Sequence, residues 1–286
     1  MTGKKSTTGD LRAGIARELI SPPRGLYLIG YGDRTKGNVG VHDPLTATAL
    51  VLAQGEQRLA LVACDLLCIN AYVVDRVRVA LDGDSDVIIS CSHTHAGPIT
   101  YADWRSNPRR RAYVRRLVRT IVRAIQRASA NMAPARLRGG RTTTDIAVNR
   151  RASQADGGVD IGVNPEGPVD RTVNVLSVDH VDGRPLATVV NLACHGTVLG
   201  PENRWVSADW IGALRAGVEA ARGGLTLFLQ GATADLNPVS NALGMDEAPW
   251  AAVEALGGRV AEAVGAMCDA KLAPLDGTPL RWQRRE

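Results

Sequence analysis

Three histidines close apolar runs: His93 and His95 end "DVIISCSHTH", and His195 falls at the end of "LATVVNLACHG". The chain carries only five histidines in 286 residues, so three in one setting form a pattern. Side chains alternate between the two faces of a strand, so extended backbone would aim His93 and His95, at i and i+2, toward one point. His195 arrives from a distant run, with glycine directly after it. Two imidazoles plus a third ligand suit Zn2+, whose catalytic sites combine three protein ligands with an open position for water. His93 and His195 are the first candidate ligands. His95 is the expected third, provided that the strand relaxes into a loop, which Gly97-Pro98 permits. A plain hydrogen-bonding role at a strand end is the alternative for each histidine.

Aspartates share this setting. Asp65 falls near the end of "RLALVACDLL", and Asp235 lies in "LTLFLQGATADLNP". Asp65 is expected to fix a histidine tautomer from behind, Asp235 to orient its loop at the catalytic site, and Asp209 in "SADWIGA" to cap a helix. His42, before Asp43-Pro44, either supports the site or is structural, and His180, in the hairpin "VDHVDG", reads as exposed and inert. Cys194 should point away from His195 into the sheet's packing. Cys91 shares the parity of His93 but is also assigned to the core. The sequence has no Gly-x-Ser-x-Gly elbow, no Walker loop and no dinucleotide fingerprint followed by an acidic residue. That favours metal-activated water over a covalent serine or phosphoryl transfer.

Such a site needs a scaffold that brings several run ends together. Near-continuous apolar runs of this kind read as strands buried on both faces. Between them "AYVVDRVRVAL", an arginine-rich stretch, "DWIGALRAGVEAAR" and Ala248 to about Lys271 repeat at helical spacing. Alternation of strands and helices argues α/β, while hairpins at Gln54-Gly55 and Asp182-Gly183 make the sheet mixed. The expected fold is therefore α/β, a mixed β-sheet core flanked by α-helices, with the site at the carboxyl ends of the strands, where open α/β sheets bind ligands. No linker, repeat or low-complexity tract divides the chain, so residues 1–286 read as a single domain.

Composition narrows the setting. At 45% hydrophobic and 22% charged residues the chain is ordinary for a globular protein. No apolar run approaches the roughly 20 residues of a membrane span, and the start "MTGKKSTTGDLRAG" has no apolar core of a secretory signal. Five cysteines, an odd number set mostly in apolar runs, fit reduced thiols and a cytoplasmic location. The net charge of +5 gathers between Arg105 and Arg127, which hold nine arginines and no acidic residue. Apolar positions there repeat at helical spacing with arginines largely opposite, which reads as a solvated helix face; with few aromatics for base stacking, no nucleic acid is expected.

Eight stretches carry a family likeness, in order between about residues 13 and 240: "GIARELISPPRGLYLIGYG", "GVHDPLTATALVL", "SHTHAGP", "VNRR", "NPEGPVDRTVNVLSVD", "NLACHGT", "SADWIGA" and "QGATADLNP". They resemble the catalytic domain of the neutral/alkaline (non-lysosomal) ceramidases, and especially their shorter bacterial relatives. The resemblance implies a zinc amidase. It makes His93 and His195 zinc ligands, places His95 beside the metal as a catalytic helper, and makes Arg150 an arginine of the substrate site that polarises the amide carbonyl. Asn237 stands where ceramidases carry a serine tied to catalysis, as it does in the shorter relatives, which implies a substrate other than ceramide. The family's glutamate and tyrosine ligands lie well beyond this motif. Only about 48 residues follow Pro238 here, with no match for either, so the C-terminal part of the family domain is expected to be missing or shortened.

The expected function is metal-dependent hydrolysis of an amide or related acyl bond in a small molecule. Three alternatives stay open: a binding or scaffold protein with a degenerate metal site, an acyl transferase forming amides on the same site, and a homo-oligomer or partner chain that completes the ligand set.

Overall fold

The computed structural model describes residues 10–32, 34–100, 107–241, 248–275 and 279–282. In chain order the elements are β1 (Arg12–Leu19), β2 (Gly40–Val41), β3 (Thr46–Gln54), β4 (Gln57–Cys64), α1 (Ala71–Leu81), β5 (Asp86–Cys91) and α2 (Pro108–Ala130). Strands β6 (Ala133–Thr143), β7 (Ala147–Ser153), β8 (Val159–Asn164), β9 (Thr172–His180), β10 (Pro185–Leu192) and β11 (Trp205–Val206) follow. Then come α3 (Trp210–Arg222), β12 (Leu225–Gln230), β13 (Leu236–Pro238), α4 (Pro249–Ala270) and β14 (Ala273–Pro274).

The main sheet runs β12-β10-β9-β6-β1-β3-β4-β5, with β14 paired to β6. It is mixed: β4 and β5 are parallel, as are β10 and β12, while the other neighbours are antiparallel. Its two halves are joined by a single short pairing, Arg12↔Pro134 and Ala13↔Ala133. The sheet folds at that joint. Leu50, Leu52 and Leu227 meet in a core between the two halves. Outside the first half, Ala47, Ala49 and Val51 pack with Val73 of α1 and Leu117 and Ile121 of α2. Outside the second, Val190, Leu192 and Phe228 pack with residues of α3 and α4 such as Leu214 and Val260. The result is four layers, helix–sheet–sheet–helix. Strand β3 shows why its run is continuously apolar: alternate residues serve two different cores.

The helices form where the sequence places them. Asn70 caps α1, its side chain accepting from the Val73 N–H, and Asn107 caps α2 with proline at the first helical position. Asp209 caps α3. Strands β6 to β8 were not legible, and Arg150 sits on β7, which pairs with β13 and β8.

Folding the sheet has one decisive consequence: its two outermost strands, β5 and β12, are brought into contact. Their parallel partners end level with them, at Cys64↔Cys91 and at Leu192↔Gln230. Four carboxyl ends converge.

Candidate metal centre

His93 lies just past the end of β5. The N–H of Ser92 donates to the Cys64 carbonyl (2.9 Å) and the N–H of His93 to that of Leu66 (2.9 Å). His93 itself adopts φ +64°, a left-handed conformation uncommon for a residue with a side chain. The expectation that extended backbone aims His93 and His95 alike is therefore corrected: the strand has ended, and a turn brings the rings together. Thr94 then bridges Gly196 as a parallel pair, and the His95 N–H donates to the Gly196 carbonyl (2.9 Å). His195 follows β10, with its N–H on the Leu236 carbonyl (3.2 Å) and its own carbonyl accepting from Trp210 Nε1 (2.8 Å).

The three rings sit 4.8 Å (His93–His195), 5.1 Å (His93–His95) and 5.5 Å (His95–His195) apart between centroids. Their candidate ligand atoms all lie within 4.8 Å of one another. His93 Nδ1 lies 2.9 Å from the Leu67 carbonyl and His195 Nδ1 2.9 Å from that of Leu236. A carbonyl only accepts, so each Nδ1 carries the proton and each Nε2 keeps its lone pair. Both ring nitrogens of His95 are buried and have no hydrogen-bond partner among the described residues. Buried polar atoms without partners are rare and call for an occupant. This donor set fits a divalent metal ion.

Electrostatics keep the rings in the ligand form. Burial pushes His95 down to about 2, helped by His93, His195, Arg34 and Arg150. Burial and then Arg150 push His195 down to about 4, and burial also lowers His93. All three are neutral at pH 7.

Around them stand residues that hold the site. Gln230, the last residue of β12, donates from Nε2 to the carbonyls of Ser92 (2.9 Å) and Cys194 (2.8 Å), while its Oε1 accepts from the Cys194 N–H (3.2 Å). One side chain thus ties together the residues that immediately precede His93 and His195. Tyr31 packs edge-on to His95 at 5.1 Å, with Arg34 stacked on the Tyr31 ring and donating to the His95 carbonyl. Burial raises the Tyr31 hydroxyl to about 12, so it stays protonated. Gly30 lies against the His95 ring, where an added Cβ would come within 2.4 Å of the ring atoms. Gln230 and Tyr31 escaped the sequence reading, although Gln230 shows the same signal as the histidines, a polar residue ending a buried run.

Arg150 donates from Nε to the Ala234 carbonyl (2.9 Å) and from Nη1 to Asn237 Oδ1 (3.3 Å), leaving Nη2 without a partner among the described residues. Its charge reaches all three imidazoles. Asp235 lies beside it: the Asp235 carbonyl accepts the Arg150 N–H (2.8 Å), and its carboxylate accepts from Asn149 Nδ2 (3.3 Å). Asp235 stands outside the imidazole group.

Asp65 requires a correction. Its carboxylate accepts from Thr46 N–H (2.7 Å) and Thr46 Oγ1 (2.8 Å) and pairs with Arg215 of α3; it touches no histidine. The carbonyls of Leu67 and Leu236 fix the tautomers instead. Asp209 caps α3 as expected and also accepts from Val198 (3.2 Å) and Leu199 (3.1 Å), which sets the turn after His195. His42 is structural, stacked on Trp250 at 3.7 Å, and His180 is part of its hairpin. Cys194 is buried in the second core and Cys91 packs on the first, their thiols pushed up by burial. A cleft of about 530 Å³ lined by Val39, Leu199, Pro201, Trp205 and Trp250 receives none of the three histidines.

The family model for neutral/alkaline non-lysosomal ceramidase, N-terminal, matches residues 14–233. Over 203 residues the chain is 27% identical to the neutral ceramidase of Mycobacterium tuberculosis (strain ATCC 25618 / H37Rv), covering 64% of this chain and 31% of that protein. The fold is similar to the neutral ceramidase of Pseudomonas aeruginosa, with a TM-score of 0.76 at 22% identity over 90% of this chain and 44% of that one. A ceramidase complexed with C2 gives 0.75 at 23%, over 90% and 43%. The chain thus spans about a third of the curated relative's length and under half of either solved chain's.

Proposed function

The chain belongs to the neutral/alkaline non-lysosomal ceramidase family, and from that premise we propose that it is a metal-dependent hydrolase of an amide or related acyl bond in a small, acyl-bearing molecule. One observation carries the reading: three neutral imidazoles face one another, and the ring of His95 has two buried nitrogens with no partner among the described residues. His93, His195 and His95 would hold the ion, which we take to be Zn2+ from the imidazole donor set. Zinc bound there supplies a water with its pKa lowered toward about 7 and a Lewis acid for a carbonyl.

The chain's own residues do the rest. Arg150, anchored through Nε and Nη1, presents Nη2 to the oxygen of a substrate carbonyl or to a carboxylate. The Ala234 carbonyl and Asn237 fix that guanidinium, and Asp235 holds the Arg150 backbone. Tyr31, protonated at neutral pH, is a neutral donor beside His95, its hydroxyl resting on the Thr197 carbonyl at 3.4 Å. The leaving amine needs a proton, and His95 is the group in reach that can move one if another ligand completes the shell.

Metal analysis of protein purified without added zinc tests the reading, together with turnover of a panel of short acyl amides. A stoichiometric ion, lost in His93→Ala and His195→Ala with far-UV circular dichroism unchanged, is the expected result. Retention of metal in His95→Ala with loss of turnover would make His95 a proton carrier rather than a ligand. No metal and no turnover in the wild type would sink the hydrolase and leave a scaffold.

A further inference from the structure

The exposed arc of α2 is not explained by folding. Eight arginines lie on this helix, and seven of them, from Arg109 to Arg127, are exposed. The other exposed residues from Arg109 onward are Ala112, Gln126 and Ala130, so the arc holds no acid and no large apolar side chain. Its inner face is satisfied by Val114, Leu117, Ile121 and Ile125, all fully buried. Four exposed arginines have partners: Arg123 and Arg127 reach Glu18 (2.6 Å each), Arg116 the Ser21 carbonyl (2.6 Å) and Arg109 that of Arg24 (2.7 Å). Arg111, Arg115 and Arg119, one turn apart, have none among the described residues. Neighbouring α1 does not compensate, since Asp75 is outnumbered by Arg76 and Arg78. The exposed arginines from Arg109 to Arg127 span about 27 Å of helix, and at their centre the guanidinium groups of Arg111, Arg115 and Arg119 face outward over about 12 Å without a partner among the described residues.

The stripe adjoins the imidazole site. From the Arg109 contact at Arg24 the chain runs on through Tyr27, with Arg110 over its ring, and Leu28, bridged to Pro98. It reaches Gly30 against the His95 ring. We propose that this face of α2 docks the protein on an anionic lipid surface, its guanidinium groups pairing with lipid phosphates, which brings the site to acyl substrates held there. The last clause rests on the hydrolase reading above; the docking does not. Arginine matches phosphate oxygens bidentately, and a face without large apolar residues binds by charge alone, without insertion. A single-stranded nucleic acid would want aromatic platforms, and the one aromatic of α2, Tyr113, is buried with its hydroxyl on the Ile20 carbonyl (2.7 Å).

Co-sedimentation with vesicles tests it. The wild type should bind vesicles of phosphatidylcholine and phosphatidylglycerol in equal parts, ignore pure phosphatidylcholine, and be released by salt as screening shortens. The triple variant Arg111→Gln, Arg115→Gln, Arg119→Gln should lose about fivefold per arginine, on the order of 100-fold together. A control with the same charge change elsewhere, Arg136→Gln, Arg141→Gln, Arg171→Gln, should lose far less. Thermal unfolding of both triples confirms that they fold. Equal losses in the two triples would mean net charge alone and overturn the proposal, as would no binding by the wild type at low salt. Tighter binding to single-stranded RNA than to the vesicles would also overturn it, in favour of a nucleic-acid surface. Turnover of a water-soluble short acyl amide, expected to be unchanged in the triple, separates the two readings: vesicle binding without turnover or metal sinks the hydrolase and spares the docking face.

Discussion

At the scale of single residues, the site depends on side chains that hold the histidines as much as on the histidines themselves. Gln230 bridges Ser92 and Cys194, so Gln230→Ala should let the two strand ends drift while the cores stay packed. Residues behind a metal's ligands are commonly worth 10- to 100-fold in affinity, and a zinc titration should show a loss in about that range with the unfolding midpoint little changed. Unaltered affinity would reduce Gln230 to ordinary sheet support. Arg150 makes a different demand. Its two anchored nitrogens and its Nη2, free among the described residues, form a fork that lysine cannot reproduce, so Arg150→Lys should keep the metal and lose about 100-fold or more in turnover. Full turnover in that variant would return Arg150 to the surface arginines it resembles in sequence.

At the scale of elements, Asp65 shows what the sequence could and could not say. Its place at the end of β4 was legible, because a polar residue that ends a buried run announces itself. Its partner was not, since Arg215 lies 150 positions away on a helix of the other half. Asp65 with Arg215, and Arg17 with Glu219, fasten α3 to the ends of β4 and β1. Both members of the first pair are buried, so Arg215→Met strands a carboxylate and should cost about 3–5 kcal/mol in urea unfolding. Adding Asp65→Asn should recover much of that, and Asp65→Asn alone should leave zinc affinity nearly intact. A large loss of affinity in Asp65→Asn would restore the role that its position in the sequence suggested. The helices were legible for the opposite reason: α1 and α3 bury one face each, and their 3.6-residue pattern is local information. Strands β6 and β7 were hidden because "RLRGGRTT" and "VNRRAS" are half-exposed and polar, so neither alternation nor an apolar run marks them.

At the scale of the whole molecule, the site exists because one sheet is folded on itself, which no local pattern encodes. His93 belongs to the half that ends in β5 and His195 to the half that carries β10 and β12, and within the main sheet the halves are joined by the short pairing of β1 with β6. An ion held by both histidines is therefore a brace across the seam farthest from that joint. Ligand binding to the folded state alone stabilises by about 4 kcal/mol when the free ligand is a thousandfold above its Kd, so chelation should lower the unfolding midpoint. The gain should also be local. Hydrogen exchange should accelerate on chelation at residues 92–97, 193–197 and 230–236, where the Thr94↔Gly196 bridge and the Gln230 contacts close the seam, and stay slow in the buried turns of α2. Should exchange rise evenly through both halves, the metal would be adding stability without bracing the seam. Should it not change at all, the three imidazoles would not be holding an ion between the two halves, and the convergence of the strand ends would be a consequence of packing alone.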